Sequence, residues 1–152
     1  MRGVYHANIK ISGVTTAKTL MYLTTPADKV VEVLSATVTN ASNETNEQAE
    51  VQMQHITTLG TPTATALTPA KSEQGDQAAA STVKYNVTAS EPTYDANGTV
   101  FQEGDASLNG WYHQPIPEER VIVSGQKSIG IKTLNTLTSL DLVVRLSFRE
   151  IG

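Results

Sequence analysis

The chain has no cysteine. That single absence removes disulfide staples, thiolate catalysis and cysteine zinc sites together, and it fits assembly in a reducing cytoplasm. Aromatic residues are scarce at 5%, and charged residues make up 17%, below the usual quarter. These proportions exclude a coiled coil, a collagen and a disulfide scaffold, and the low charge with many β-branched residues argues against general disorder. No apolar run exceeds a few residues, so no segment is expected to cross a membrane. Met1 to Ile11 carries no apolar stretch of the kind a signal peptide needs. There is no basic footprint either. The net charge is −4, and the densest basic stretch, Arg145 to Arg149, places its two arginines at alternating positions, the pattern of one solvated strand face. Nucleic-acid binding is not expected, because phosphate neutralisation supplies most of that affinity.

What the chain does have is threonine, β-branched residues and a period of two. Its 152 residues are one domain's worth, long enough to bury a core without staples. Leu140, Leu142, Val144, Leu146 and Phe148 alternate with Asp141, Val143, Arg145, Ser147 and Arg149. Helical spacing would scatter those apolar residues around the axis, so the segment reads as a half-buried antiparallel strand. Val30 to Asn40, Glu50 to Thr58 and the segment around Val83, Tyr85 and Val87 read the same way. Shorter strands are expected at Thr99 to Gln102, Gly110 to His113, Arg120 to Val123 and Ser128 to Thr133, with Tyr5 to Ile11 and Leu20 to Leu23 as candidates for more. Turn residues at Asn40 to Asn46, Asn97-Gly98, Asn109-Gly110, Pro115 to Pro117 and Ser124-Gly125 separate them. The one helix candidate, Gln74 to Ser81, is about two turns long and reads as a loop or a single turn. The fold class is therefore all-β, an antiparallel sandwich or barrel.

Residues with chemistry are few and do not converge in the sequence. His6, His55 and His113 lack metal-ligand spacing, and no Gly-x-Ser-x-Gly elbow marks a nucleophile. Glu118 and Glu119 are adjacent, so on an extended chain they face opposite ways and read as a charged turn with Arg120 as their ion-pair partner. Asp95-Ala96-Asn97-Gly98 resembles the opening of a calcium loop without its helices or its closing glutamate. No phosphate-cradling glycine motif occurs. The expectation is a protein without enzymatic activity, metal or cofactor. Trp111 and Tyr112, with Tyr85 and Tyr94, allow two readings: packing in the core or an interface, or a stacking platform for sugar rings.

Residues 1 to about 28 are polar and threonine-rich. They read as an extended N-terminal arm preceding a single sandwich domain at residues 29–152, with pairing inside the chain's own sandwich as the rival. Leu59 to Ser81, with Pro62, Pro69, Gly60 and Gly75, is long for a connection in a compact domain and reads as an ordered excursion that needs a neighbour to lie on.

Three stretches taken together carry a resemblance: Leu59-Gly60-Thr61-Pro62-Thr63-Ala64-Thr65-Ala66-Leu67-Thr68-Pro69-Ala70-Lys71 after a strand ending Gln54-His55-Ile56-Thr57, then Pro115-Ile116-Pro117-Glu118-Glu119-Arg120-Val121-Ile122-Val123, then Leu146-Ser147-Phe148-Arg149-Glu150-Ile151-Gly152. In this order they resemble the capsid decoration, or cement, proteins of tailed bacteriophages over about residues 30 to 152. The resemblance implies a jelly-roll-like β-sandwich. It further implies a homotrimer on the outer capsid surface of the virion, assembled in the bacterial cytoplasm, that clamps major capsid protein subunits. On that reading the arm and the long loop would contact the capsid. Tyr5, Ile9, Ile11, Leu20, Met21 and Tyr22 would anchor the arm, and Leu67 the loop, as their sizeable apolar side chains. The alternative is a carbohydrate- or receptor-binding β-sandwich of a tail fibre or spike, and a third reading is a tail or head–tail connector component.

Overall fold

The computed structural model describes residues 3–42, 47–106 and 110–152. Twelve strands account for most of them: β1 (Val4–Val14), β2 (Thr19–Thr24), β3 (Val30–Asn40), β4 (Gln48–Thr58), β5 (Thr63–Leu67), β6 (Ala70–Lys71), β7 (Thr82–Ala89), β8 (Thr93–Ala106), β9 (Trp111–His113), β10 (Ile122–Val123), β11 (Ser128–Thr133) and β12 (Leu140–Ile151). A short 3-10 turn, Pro117–Glu119, lies between β9 and β10. Part of the expected turn at Asn40 to Asn46, residues Asn43 to Asn46, lies outside the described residues, as does Asn109.

All pairings are antiparallel and form two sheets. One runs β10-β3-β12-β1-β6, with β9 also on β3; the other runs β5-β7-β2-β11-β4-β8. Because β12 pairs along nearly the whole of β3, β9 and β10 must share the opposite edge of β3. They meet it at Ala36 to Val38 and at Val31 and Glu32 respectively, as one edge strand broken in two by Pro115 and Pro117.

The chain alternates between the sheets: β1, β3, the β9–β10 pair and β12 in the first, and β2, β4, β8 and β11 in the second. The orders β1-β12-β3-β9/β10 and β2-β11-β4-β8 are those of a jelly roll, two interlocked Greek keys in which the first and last strands lie side by side. An all-β, jelly-roll sandwich is therefore the architecture.

The N-terminal segment is not an arm. β1 lies between β12 and β6, and β2 lies between β7 and β11. Within β1, Tyr5, Ala7, Ile9 and Ile11 face inward while His6, Asn8 and Lys10 pair on the outer side. Tyr5, Ile11, Leu20, Met21 and Tyr22 are buried, and Ile9 packs against the core. The many threonines here mislead as a sign of an unpacked segment, because β-branched residues suit a pleated, half-buried surface.

Leu59 to Ser81 also lies on its own sandwich. β5 joins β7, the chain crosses to the other sheet as β6 against β1, and Leu67 packs on the core. The rest is strapped down by Tyr5 Oη donating to Gln77 O at 3.1 Å, Gly3 N to Asp76 Oδ2 at 2.8 Å, and Ala80 N and Ser81 N to the Glu150 carboxylate at 3.1 and 2.6 Å. The Gln74 to Ser81 segment forms a turn rather than a helix.

The core lies between the sheets. Leu142, Val144, Leu146 and Phe148 are buried as the alternation predicts, Arg145 is exposed and Arg149 half-buried. Trp111 is fully buried beside Phe101, ring centres 5.5 Å apart. A satellite cluster of Tyr22, Ile56 and Val87 is joined by Leu59, Ala64 and Tyr94. Gly130 makes room for Tyr94 there: a Cβ at that position would collide with the phenol hydroxyl.

Phe148 is fully buried, its ring centre 5.5 Å from that of Tyr5. Phe148→Ala should therefore cost about 3–5 kcal/mol, read as a lower urea midpoint. Deleting residues 1–14 removes an interior strand, so the product should show no cooperative unfolding transition. A truncated chain that melts cooperatively would contradict the position of β1.

Candidate functional site

The outer face of the first sheet collects the charged side chains that sequence spacing keeps apart. On β12, Arg145, Ser147 and Arg149 alternate outward. They stand opposite Asn8, His6 and Val4 of β1 and Thr37, Ser35 and Glu32 of β3. The register slips between Ser147 and Phe148, where β3 gains a residue at Leu34, so Leu34 and Ser35 are both half-buried. Such a bulge bends a strand and re-aims its side chains. Here it helps shape an open trough of about 550 Å³ running between β12 and the β9–β10 edge, its walls including His6, Ser35, Gln114, Arg120, Arg145 and Arg149.

Glu32 is the floor. It is 7% exposed, and a carboxylate at that depth persists only if paired. Arg120 Nη1 donates to Glu32 Oε1 at 3.2 Å, and the Arg149 guanidinium contacts Oε2. Burial pushes the Glu32 carboxyl up, but hydrogen bonds and charge from both arginines outweigh it, leaving it below its ordinary value. Arg120 thus turns into the sheet rather than pairing with Glu118 and Glu119, which lie exposed in the 3-10 turn. A buried charge on β3 is the stronger attraction, because solvent screens the exposed turn.

His6 forms the wall opposite. Its Nδ1 lies 2.9 Å from Ser147 Oγ and its Nε2 2.6 Å from Ser72 Oγ. Burial, then the charge of Arg145, hold its pKa below the ordinary value. It is neutral at pH 7 and ties β12 to the segment after β6. Arg145 itself is exposed, and among the described residues it makes no hydrogen bond or ion pair.

Apolar residues rim the trough. The large exposed hydrophobic side chains among the described residues are Tyr112 and Ile116, both 59% exposed, Ile122 at 49% and Ile151 at 46%. All fall on or beside this sheet's β3 side. Ile122 pairs opposite Glu32, Tyr112 opposite Thr37 and Ile151 opposite Val30.

The remaining sequence candidates do not converge. His113 is buried against Phe101 with ring centres 5.0 Å apart, and burial lowers its pKa. His55 lies half-buried on the other sheet. Asp95 Oδ1 accepts a hydrogen bond from Asn97 N at 3.0 Å, an ordinary Asx turn. Among the described residues no cluster of three or more His, Asp or Glu could hold a metal, and no helix is long and apolar enough to cross a membrane. Trp111, in the core, offers no face to a sugar. The anchors expected from the N-terminal segment and the loop serve the fold instead: Tyr5, Ile11, Leu20, Met21 and Tyr22 are buried, and Ile9 and Leu67 pack on the core.

Sequence reading missed the grouping of Glu32, Arg120 and Arg149. One signal for it is present: Glu32 is a lone charge within Val30-Val31-Glu32-Val33, a segment otherwise fit for burial, and such a charge needs a cation nearby.

Glu32→Gln tests the triad. At pH 7 it should lower stability by about 1–2 kcal/mol, a buried-pair cost reduced because Arg149 is 41% exposed. The folded-state pKa of Glu32 lies below its ordinary 4.5, so its contribution is present above that pH and is lost as pH falls through the folded value. The gap between wild type and variant should therefore shrink as pH drops below 4.5 toward the lower folded value. Urea titrations at pH 7 and pH 3 read it, and a gap of equal size at both would contradict the pairing. Comparison with protein-family models, with curated proteins and with solved structures finds no match to this chain.

Proposed function

We propose that the protein is a structural virion component, a decoration protein that binds as a homotrimer to the outer surface of a tailed-phage capsid and braces neighbouring major capsid subunits, without catalytic activity. A jelly roll alone does not specify this, since the architecture hosts unrelated functions. The observation that carries the reading is the outer face of the first sheet. Exposed Tyr112, Ile116, Ile122 and Ile151 lie on the β3 side of the sheet that holds an arginine-lined trough, and aromatic, aliphatic and arginine side chains together are the composition of protein–protein contact surfaces.

Two of the three stretches that resemble decoration proteins, Pro115 to Val123 and Leu146 to Gly152, border this face. Titratable side chains around it, Glu32 and His6 above all, are engaged in bonds that hold strands together, which suits a binding surface better than a reaction centre. The contacts would thus come from a rigid sheet face, not from an arm or a loop. Carbohydrate binding is less well supported, because burial of Trp111 leaves Tyr112 as the exposed ring of that pair.

The test is reconstitution. Purified protein added to phage heads assembled without it should cosediment to a saturating copy number and raise the temperature at which the heads release DNA. Failure to cosediment at any concentration, with the protein folded, would overturn the proposal.

A further inference from the structure

We infer that the trough on the first sheet binds an extended acidic segment of a partner protein, with two carboxylates four residues apart and apolar residues beside them. This rests on the partner-binding reading above and gives the partner its chemistry.

The argument begins with charge. Three arginines, Arg120, Arg145 and Arg149, line the trough, and the one carboxylate paired with them is Glu32. His6 is neutral there at pH 7. An excess of two positive charges thus sits in one open concavity of a chain whose net charge is −4. A concavity lined by one sign of charge attracts the opposite sign from a distance.

Arg145 is the sharpest sign. Its cross-strand neighbours Asn8 and Thr37 are neutral, although an acidic residue opposite an arginine would stabilise the sheet. Arg120 and Arg149 are held in place by Glu32, yet a guanidinium has donors to spare after one carboxylate. The trough therefore presents one free cation and two pre-oriented ones.

Geometry decides between anions. Arg145 and Arg149 lie four residues apart on β12, roughly 13 Å at the rise of a strand. A single phosphate or sulfate reaches one end of that span. An extended peptide has the same rise, and its residues i and i+4 point the same way, so two acidic side chains can meet Arg145 at one end and the Arg149–Arg120 pair at the other. Ser35, Ser147 and Gln114 add neutral polar groups between and beside them. Ile122 and Ile151, each about half exposed at the Arg149 end, give apolar contact that an inorganic anion would not use. Nucleic acid fits poorly: it would carry many phosphates past an acidic surface to meet two excess charges.

The test uses intact protein and peptides of about ten residues, with isothermal titration as the readout. The probe peptide carries two glutamates four residues apart among valines and serines; a second replaces both glutamates with lysine, and inorganic phosphate and duplex DNA complete the set. The acidic peptide should bind and the lysine peptide should not. Arg145→Glu should weaken binding by at least ~10-fold without changing the melting temperature, and Arg145→Ala should do so to a lesser degree. Lys10→Glu, which changes net charge equally on the neighbouring strand outside the trough, should have little effect. Several results would overturn the inference: no binding of the acidic peptide, equal loss with Lys10→Glu, saturation by phosphate or DNA at equal affinity, or self-association abolished by Arg145→Glu, which would put a second copy in the trough. The head-binding assay separates the two levels. Wild-type protein that binds the peptide but not heads sinks the decoration reading alone. Heads that bind wild type and Arg145→Glu equally well sink the trough's role alone.

Discussion

The register of β12 is the constraint on which the molecule depends. This strand pairs with β1 on one side and β3 on the other, so it joins both ends of the chain at the centre of the first sheet. Its inner face, Leu140 through Phe148, forms the wall of the core. Its outer face carries Arg145, Ser147 and Arg149. A slip of one residue would exchange these two sets, burying two guanidiniums and exposing Phe148. Core and trough are thus opposite sides of one register, which no alternative pairing preserves together.

The Glu32 triad reinforces that register on the outer side. Arg149 arrives on β12, Glu32 on β3, and Arg120 on the connection leading into β10. β10 is two residues long and pairs at Ile122 and Val123 alone, too little ladder to hold an edge. The ion pair beside it supplies the missing attachment, together with the backbone bond from Val33 N to Val121 O at 2.9 Å. Desolvating the carboxylate is costly, and the arrangement is tolerable because both guanidiniums remain partly in water. One arginine bonded to Glu32 also stays presentable to solvent, so a structural pair and the proposed binding surface share the same groups.

Strands with unbroken alternation were legible from sequence, while segments whose environment depends on distant chain were not. Val30 to Asn40 and Ser128 to Thr133 appear with the bounds their patterns suggest, and the buried set on β12 is the one its period of two implies. The N-terminal segment misled because its apolar residues are spaced among threonines and small residues, which look unpacked until β12 and β11 are placed beside them. Leu59 to Ser81 misled for a similar reason: its neighbour is the edge of β1, which lies far away in sequence. Local composition reports how much a segment can bury, not what stands ready to cover it. The trough was less legible still. Arg145 and Arg149 were visible as one strand face, but Glu32 and Arg120 reach them only through the jelly-roll order, which puts β3 between β12 and β10.

Moving the contact surface from flexible segments to a sheet face changes the energetics of the proposed role. An arm that orders on its partner loses part of its contact energy to conformational entropy, of the order of 1–2 kcal/mol per residue fixed. A sheet face held by two ladders and an ion triad is already ordered, so more of the energy of each contact appears as affinity. Side-chain freedom remains where it is cheap to remove or useful to keep. Isoleucine has few rotamers, and Arg145 alone among the trough's arginines is left untied. A rigid apolar rim with one untied cation suits the proposed role of meeting many copies of one partner in one geometry. On that proposal the acidic remainder of the chain is no obstacle: repulsion from an acidic partner elsewhere would help to select the single orientation in which the trough faces it.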